Sequence, residues 1–391
     1  MMRSAVIGLL AVCFSAPIAA AQGSCTADLN GDRVVDGTDL GALLAAWGPC
    51  GPTHCEADLR ASGVVDGADL GLLLGSWGAC PVIVPQWATL IDAEPDPAVV
   101  TDPALRSEIA ATGLAWRVRD TGTQIEMLLV PPGTFQMGCT LGSNQYGCSP
   151  WEQPVHQVTL TNAFYLGRYE VTQAQWAARM GSNPSSFQGY PDSADRPVEQ
   201  VSWTAIQGYL GATGMRLPTE AEWEYACRAG TQTPFYNGST DDGTVVALAW
   251  YDLNSGSQTR PVGSKAANAL GFHDMLGNVW EWVNDWYGGY SANAQADPIG
   301  PMSASDRVAR GGSWGVDTLF VRSSNRSSRS PGIAYGVVGF RVARTPGGAC
   351  CFPEGNFGGF ICTQVIWGEQ CAGSFHPGRT CDQIGGNNCP Q

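Results

Sequence analysis

The chain is short of charge. Asp, Glu, Lys and Arg make up only 14% of its 391 residues, too few to clothe the long polar faces of a helical bundle. Basic residues are scarcer than acidic ones, 21 against 35, and the net charge of −14 lacks the basic footprint that nucleic-acid binding needs. The four histidines, His54, His156, His273 and His376, are scattered without metal-ligand spacing. No Gly-rich phosphate loop and no nucleophile elbow occur. Beyond the first 21 residues no apolar run is long enough to span a bilayer, so no transmembrane segment is expected.

What is abundant is Gly (50), Pro (25) and Trp (14), the composition of a loop-rich domain whose core is filled by indole rings. Residues 1–21 read as a secretory signal. Arg3 supplies the positive start, Ala5 to Phe14 the apolar stretch and Ala19-Ala20-Ala21 the small-residue cleavage site. A secreted protein is therefore expected, whether extracellular, periplasmic or cell-surface. The cysteines agree with an oxidising compartment. Cys13 leaves with the signal, and disulfides are expected within three clusters: Cys25, Cys50, Cys55 and Cys80; Cys139 and Cys148 on one loop; and Cys350, Cys351, Cys362, Cys371, Cys381 and Cys389 in a tail over 346–391. Cys227 lacks an obvious partner and reads as a buried thiol.

An internal repeat fills residues 22–80. Ala27-Asp28-Leu29 through Trp47-Gly48 returns thirty residues later as Ala57-Asp58-Leu59 through Trp77-Gly78, each copy a loop followed by a short helix. Asp28, Asn30, Asp32, Asp36 and Asp39 take positions 1, 3, 5, 9 and 12 of a twelve-residue loop, with the Val34 carbonyl at position 7, a spacing that wraps hard oxygen ligands around Ca²⁺. Asp58, Asp66 and Asp69 are the surviving acids of the second copy, where Arg60 and Ser62 replace two ligands. Arg33 stands at position 6, where the turn needs positive φ at a cost of about 1 kcal/mol for a non-Gly residue. The alternative reading of both loops is a pair of polar turns. The pattern resembles dockerin modules, which implies two calcium loops and docking on a cohesin-like receptor through the helices.

Residues 81–115 read as a linker, ending in a short helix that Thr101-Asp102-Pro103 starts and that runs to about Ala111. From 116 to 345 the chain has strands at Ile125–Val130, His156–Leu160, Phe164–Leu166 and Gly339–Ala343, and helices capped by Thr172 and Thr219. Long motifs punctuate this region: Pro131-Pro132-Gly133-Thr134-Phe135, Tyr165-Leu166-Gly167-Arg168-Tyr169-Glu170, Arg216-Leu217-Pro218-Thr219-Glu220, Gly277-Asn278-Val279-Trp280-Glu281-Trp282 and Arg310-Gly311-Gly312-Ser313-Trp314.

In order and spread these motifs resemble the formylglycine-generating enzyme (sulfatase-modifying factor) family. The resemblance implies an α+β fold, irregular and related to C-type lectins, and a calcium ion held by the Asp274 and Glu281 carboxylates and the Gly277 and Val279 carbonyls. It also implies a catalytic pair of cysteines that binds copper(I) and oxidises a substrate cysteine. Val316 and Val321 occupy those two positions. Valine has no thiol, so no copper is expected and no catalytic residue is assigned. Around the same region Asp317, Arg322, Asn325, Arg326, Arg329 and Tyr335 form a donor-rich set suited to a glycan, peptide or anionic ligand. Three functions follow: a non-catalytic ligand-binding protein, a divergent formylglycine-generating oxidase, or a structural envelope spacer.

Overall fold

The computed structural model describes residues 25–51, 55–140 and 148–347, and beyond them the backbone of strands Gly348–Pro353, Phe360–Gln364 and His376–Pro377. Residues 1–24 and the remaining tail lie outside the described residues, as do the side chains of the six tail cysteines. Two compact units are present, the first ending at Pro81 and the body of the second beginning at Val82.

In the first unit the repeat is built twice from the same parts. Helices Gly37–Ala45 and Gly67–Gly75 start at Asp36 and Asp66, whose carboxylates accept the N–H of Thr38 and Ala68. The strands are exchanged between the copies. Val34–Val35 pairs antiparallel with Gly78–Ala79, and Gly48–Pro49 with Val64–Val65. Equivalent residues meet in one core: Ala27 with Ala57, Val35 with Val65, Leu43 with Leu73. So few buried side chains leave a small hydrophobic contribution, and the bridges Cys25–Cys80 and Cys50–Cys55 supplement it.

Three sheets make up the body of the second unit, and the tail strands Phe360–Gln364, Gly348–Pro353 and His376–Pro377 form a fourth. A five-stranded antiparallel sheet runs Ala343–Arg344, Phe164–Gly167, Glu126–Val130, Arg117–Asp120, Ala88–Asp92. A four-stranded sheet runs Arg326–Arg329, Arg307–Arg310, Trp280–Trp286, Val338–Gly339, the last pair parallel. Gly133–Met137, His156–Leu160 and Gln295–Ala296 form the third. Trp116, Trp223, Trp282 and Phe340 are buried among them. Helices Gln173–Met180 and Glu220–Arg228 carry capping boxes, Thr172 with Gln175 and Thr219 with Glu222, which satisfy two orphan N–H groups at each start. Glu222 also receives both terminal nitrogens of Arg216 at 2.6 and 2.7 Å.

Two expectations are corrected. The stretch taken for a linker contributes a strand to the five-stranded sheet, and Val100, Ile109 and Leu114 are core residues. The short helix itself stands at Pro103–Ala111 behind the Asp102 cap. The closing strand over Gly339–Ala343 is two strands in two sheets. Between them Phe340 and Val342 give their carbonyls to the N–H of Val171 and Gly167 instead of a continuous ladder.

Candidate functional site

Motif arginines and glutamates form the frame of the second unit. Glu281 accepts Arg341 at 2.6 Å on each oxygen and Trp223 Nε1 at 2.7 Å. Glu224 joins Arg310 and Arg228 and accepts the Gly138 N–H. Glu152 takes Arg322 at 2.7 and 2.8 Å together with the Ser324 hydroxyl. Glu220 takes Arg326 at 2.6 and 2.8 Å. All nine partners named in these ion pairs are buried, at 7% exposure or less. Charges so placed are tolerable only because each is paired and hydrogen-bonded.

The two valines lie beside this frame. Val321 is fully buried, and Gly312, at φ +80°, leaves room for it: a Cβ there would sit 2.6 Å from Val321 Cγ1. Val316 packs on the core, its carbonyl accepting the Asp252 N–H. Trp314 is anchored by its N–H to the Asn278 carbonyl and by its ring against Phe187. Cys139 and Cys148 are joined to each other. Cys227 is the single free thiol among the described residues, and burial pushes it up to about 12, so it stays protonated.

The expected ligand face is redrawn. Arg322, Asn325 and Arg326 are buried, at 2%, 6% and 7% exposure. Arg322 and Arg326 spend their guanidinium groups on Glu152 and Glu220, and Asn325 turns its amide toward Glu152. They are framework, because a bidentate pair out of water leaves no donor for a ligand. Asp317 is exposed, and Arg329 and Tyr335 are half-buried with the guanidinium 5.2 Å from the ring. A residue the sequence did not reveal joins them. Arg307 stands directly across the strand pair from Arg329 and stacks on Trp203 and Trp286 at 3.8 and 3.5 Å. Neither arginine has a carboxylate partner among the described residues, and the Nε of each is unbonded. Like charges at opposed positions repel unless an anion lies between them.

The segment Asp274–Glu281 has charge to spare for a cation. Glu170, Asp274 and Glu281 are all buried around the one enclosed guanidinium of Arg341. Asp274 has φ +55°, gives Oδ2 to the Gly263 N–H at 2.6 Å and leaves Oδ1 without a partner. Burial, reinforced by Glu281, lifts its carboxyl to about 6. Burial and the neighbouring Asp274 and Glu281 charges drive Glu170 well above the usual range. Glu170 was not legible as part of this group; it accepts Asn278 Nδ2 and the Val279 N–H. Gly277 is required at its bend, since a Cβ would collide with the Trp250 carbonyl. Of the expected carboxylates, Asp274 has an oxygen to spare, whereas both Glu281 oxygens already face Arg341.

The two N-terminal loops share their backbone but not their chemistry. Positions 4 and 6 have positive φ in both, at Gly31 and Arg33 and at Ala61 and Gly63. In the first loop Asp28, Asn30, Asp32 and Val34 are grouped along an exposed turn. Asp39 is buried and accepts the Leu29, Asn30 and Asp36 N–H groups; against the opposing effect of burial these hold it below the usual carboxylate range. Asp28 also lies beside Cys25 and Cys80, whose sulfurs are bonded to one another and offer no thiolate. In the second loop Arg60 reaches inward, Nη2 to Asp66 at 2.8 Å and Nε to Asp69 at 3.4 Å, while Asp58 accepts the Ser62 and Gly63 N–H groups. A guanidinium thus stands among the surviving acids of the second loop.

Comparison with known proteins follows this geometry. The family model described as the sulfatase-modifying factor enzyme 1-like domain matches residues 116–346. The chain is 30% identical to the formylglycine-generating enzyme of Streptomyces coelicolor, over 64% of this chain and 95% of that protein. It is 33% identical to the serine/threonine-protein kinase pkn1 of Chlamydia caviae, over 56% of this chain but only 38% of the kinase's length. Among solved structures, Treponema denticola variable protein 1 superposes with a TM-score of 0.52 at 30% identity, covering 57% of this chain and 95% of that one.

Proposed function

The chain belongs to the sulfatase-modifying factor enzyme 1-like family through residues 116–346, and from that premise we propose that it is a secreted ligand-binding member without the oxidase chemistry. The observation that carries this reading is the side chain pair Val316 and Val321, the second of them sealed into the core where a reactive thiol would have to stand. Cys227, the free thiol among the described residues, is held protonated by burial. Incubation with copper and a peptide containing Cys-x-Pro-x-Arg should give no aldehyde. Turnover would establish the divergent oxidase instead.

The ligand is anionic, an acidic glycan or an acidic peptide, taken by Arg307 and Arg329 with Tyr335 and Asp317 at the margin. The scaffold is read as C-type-lectin-like, a fold whose irregular loops suit recognition. Arg329→Ala should cut binding of acidic probes on a glycan and peptide array about tenfold, the worth of one charge-assisted contact, while neutral probes stay unbound. Equal signals from the two proteins would remove Arg329 from the face.

Calcium serves as a structural ion. Asp274 with the Gly277 and Val279 carbonyls would hold one, neutralising the surplus of buried carboxylate charge. The first N-terminal loop would hold another through Asp28, Asn30, Asp32, Val34, Asp36 and Asp39, and the second loop none. We read this unit as dockerin-like, with an EF-hand-like loop. Leu44 and Trp47, and their repeat equivalents Leu74 and Trp77, are each about half exposed, 49–52%, and offer a matched apolar surface to a cohesin-like receptor. No helix among the described residues is long and apolar enough to cross a membrane.

A further inference from the structure

A cleft of about 320 Å³ opens between three elements of the second unit; none of the residues assigned above to calcium or to the anionic ligand lines it, although Arg307 stacks on its Trp286 wall. Its floor is His156 at the start of one strand, Asp285 near the end of another, and Glu220 at the head of a helix. Trp286, Tyr290, Pro298, Ile299 and Pro301 supply apolar wall.

The polar atoms facing this space are not alike in what they have left to offer. Arg326 has spent four of its five donors: Nε and Nη2 go to Glu220, and Nη1 to the carbonyls of Gly288 and Trp151 at 2.7 and 3.2 Å. The Tyr290 hydroxyl donates to Glu220 at 3.1 Å. Asp285, 3% exposed, uses Oδ2 to accept the Glu220 N–H at 2.8 Å, and Oδ1 has no partner. His156, equally buried, sets Nδ1 3.1 Å from the Pro154 carbonyl, and a carbonyl only accepts. Nδ1 therefore carries a proton, and Nε2 has no partner. Deep in the cleft the unspent groups are acceptors, a carboxylate oxygen and an imidazole nitrogen, beneath an apolar wall.

We propose that this cleft is a binding site for a primary alkyl ammonium group, with the ammonium donating to Asp285 Oδ1 and His156 Nε2 and the alkyl part lying against Trp286, Ile299 and Pro301. The electrostatics run the same way. Glu220 and Glu222 act on Asp285 from the helix and Arg326 and Arg307 from the neighbouring strands, and His156 and Tyr290 line the same cleft. Burial first, then the Glu220 charge, push the Asp285 carboxyl up to about 8. The Glu220 charge that helps retain a proton on Asp285 also favours another monocation in its place, while burial disfavours net charge of either sign. Binding therefore exchanges that proton for the ammonium, and Asp285 leaves the bound state ionised.

The test is calorimetric titration of the intact chain with propylamine, set against 1-propanol and propionate. Propylamine should bind, and neither control should. Near pH 7 titrations in buffers of different ionisation heat should show about one proton released per ligand, because Asp285 is mostly protonated there. Asp285→Asn should weaken binding about tenfold or more. Should that variant fail to fold, Gly289→Leu decides: Gly289 lines the cleft, and a Cβ there meets nothing within 4 Å, so a leucine is accommodated at the cleft's margin and obstructs it. It should abolish propylamine binding and leave Tm unchanged. Stronger binding of Nα-acetyl-lysine methylamide than of propylamine would assign the site to a lysine side chain, the reverse order to a free amine. Binding of propylamine no tighter than propanol, or binding untouched by Gly289→Leu, would overturn the assignment.

Discussion

Replacing Arg326 with alanine should destabilise the second unit severely, although the residue sits in a polar stretch that reads as surface. The guanidinium makes two bonds to Glu220 at 2.6 and 2.8 Å, reaches the Gly288 and Trp151 carbonyls, and lies 4.1 and 4.6 Å from the rings of Tyr290 and Tyr287. Its removal strands Glu220, 3% exposed, with the Tyr290 hydroxyl and a more distant Arg310 at 3.6 Å. Breaking a buried pair from one side costs about 3–5 kcal/mol, because an uncompensated charge is left out of water. Arg329→Ala is the control, since that arginine has no carboxylate partner and should change stability by less than about 1 kcal/mol. Urea unfolding followed by tryptophan fluorescence measures both. Adding Glu220→Gln to Arg326→Ala should recover part of the loss by removing the stranded charge. A melt for Arg326→Ala within about 1 kcal/mol of the parent would refute the claim that this pair is framework.

Three further outcomes are expected. Calcium titration of the intact chain should find one ion in the N-terminal unit, and Arg60→Asn should add a second by vacating Asp66 and Asp69; an unchanged count in the variant would show that the guanidinium is not what excludes the metal. Asp285 at about 8 and Glu199 at about 7 are both raised by burial, so each binds more proton folded than unfolded. Their contribution is fully present below about pH 4 and is lost as pH rises to between 7 and 8; urea melts across that window should show a falling contribution on the order of a few kcal/mol, and Asp285→Asn should flatten the slope. Chelation should lower the Tm of the second unit more at pH 8 than at pH 5, since Asp274 is protonated at the lower pH and ionised at the higher; an equal drop would detach calcium from Asp274.

Local signals in the sequence were sufficient where the physics is local. Thr172 with Gln175 and Thr219 with Glu222 announce helix starts because a capping box is closed within four residues. The thirty-residue offset places both N-terminal helices and their matched core residues. Arg322 and Arg326 defeated the reading because their carboxylates lie 170 and 106 residues away. An arginine's burial is decided by a partner that periodicity cannot point to. Ala88–Asp92 was hidden for a related reason: an edge strand with half-exposed residues has no apolar alternation until its neighbour Arg117–Asp120 is known. Arg307 and Glu170 acquire meaning only from register and enclosure, and neither is written in spacing.

The strand exchange inside the N-terminal unit bears on how such a module can be moved. Neither half closes on itself, so cutting between the copies at Gly51 leaves two fragments that each lack a pairing partner, yet the unit as a whole begins and ends at one place, with the Cα atoms of Cys25 and Cys80 only 5.5 Å apart. That spacing matches the mouth of an ordinary surface turn. The unit is therefore portable as an insertion: it can be spliced into a loop of an unrelated host without prising the host's own strands apart, and a permuted version opened at Gly51 and joined across 25 and 80 should keep its core.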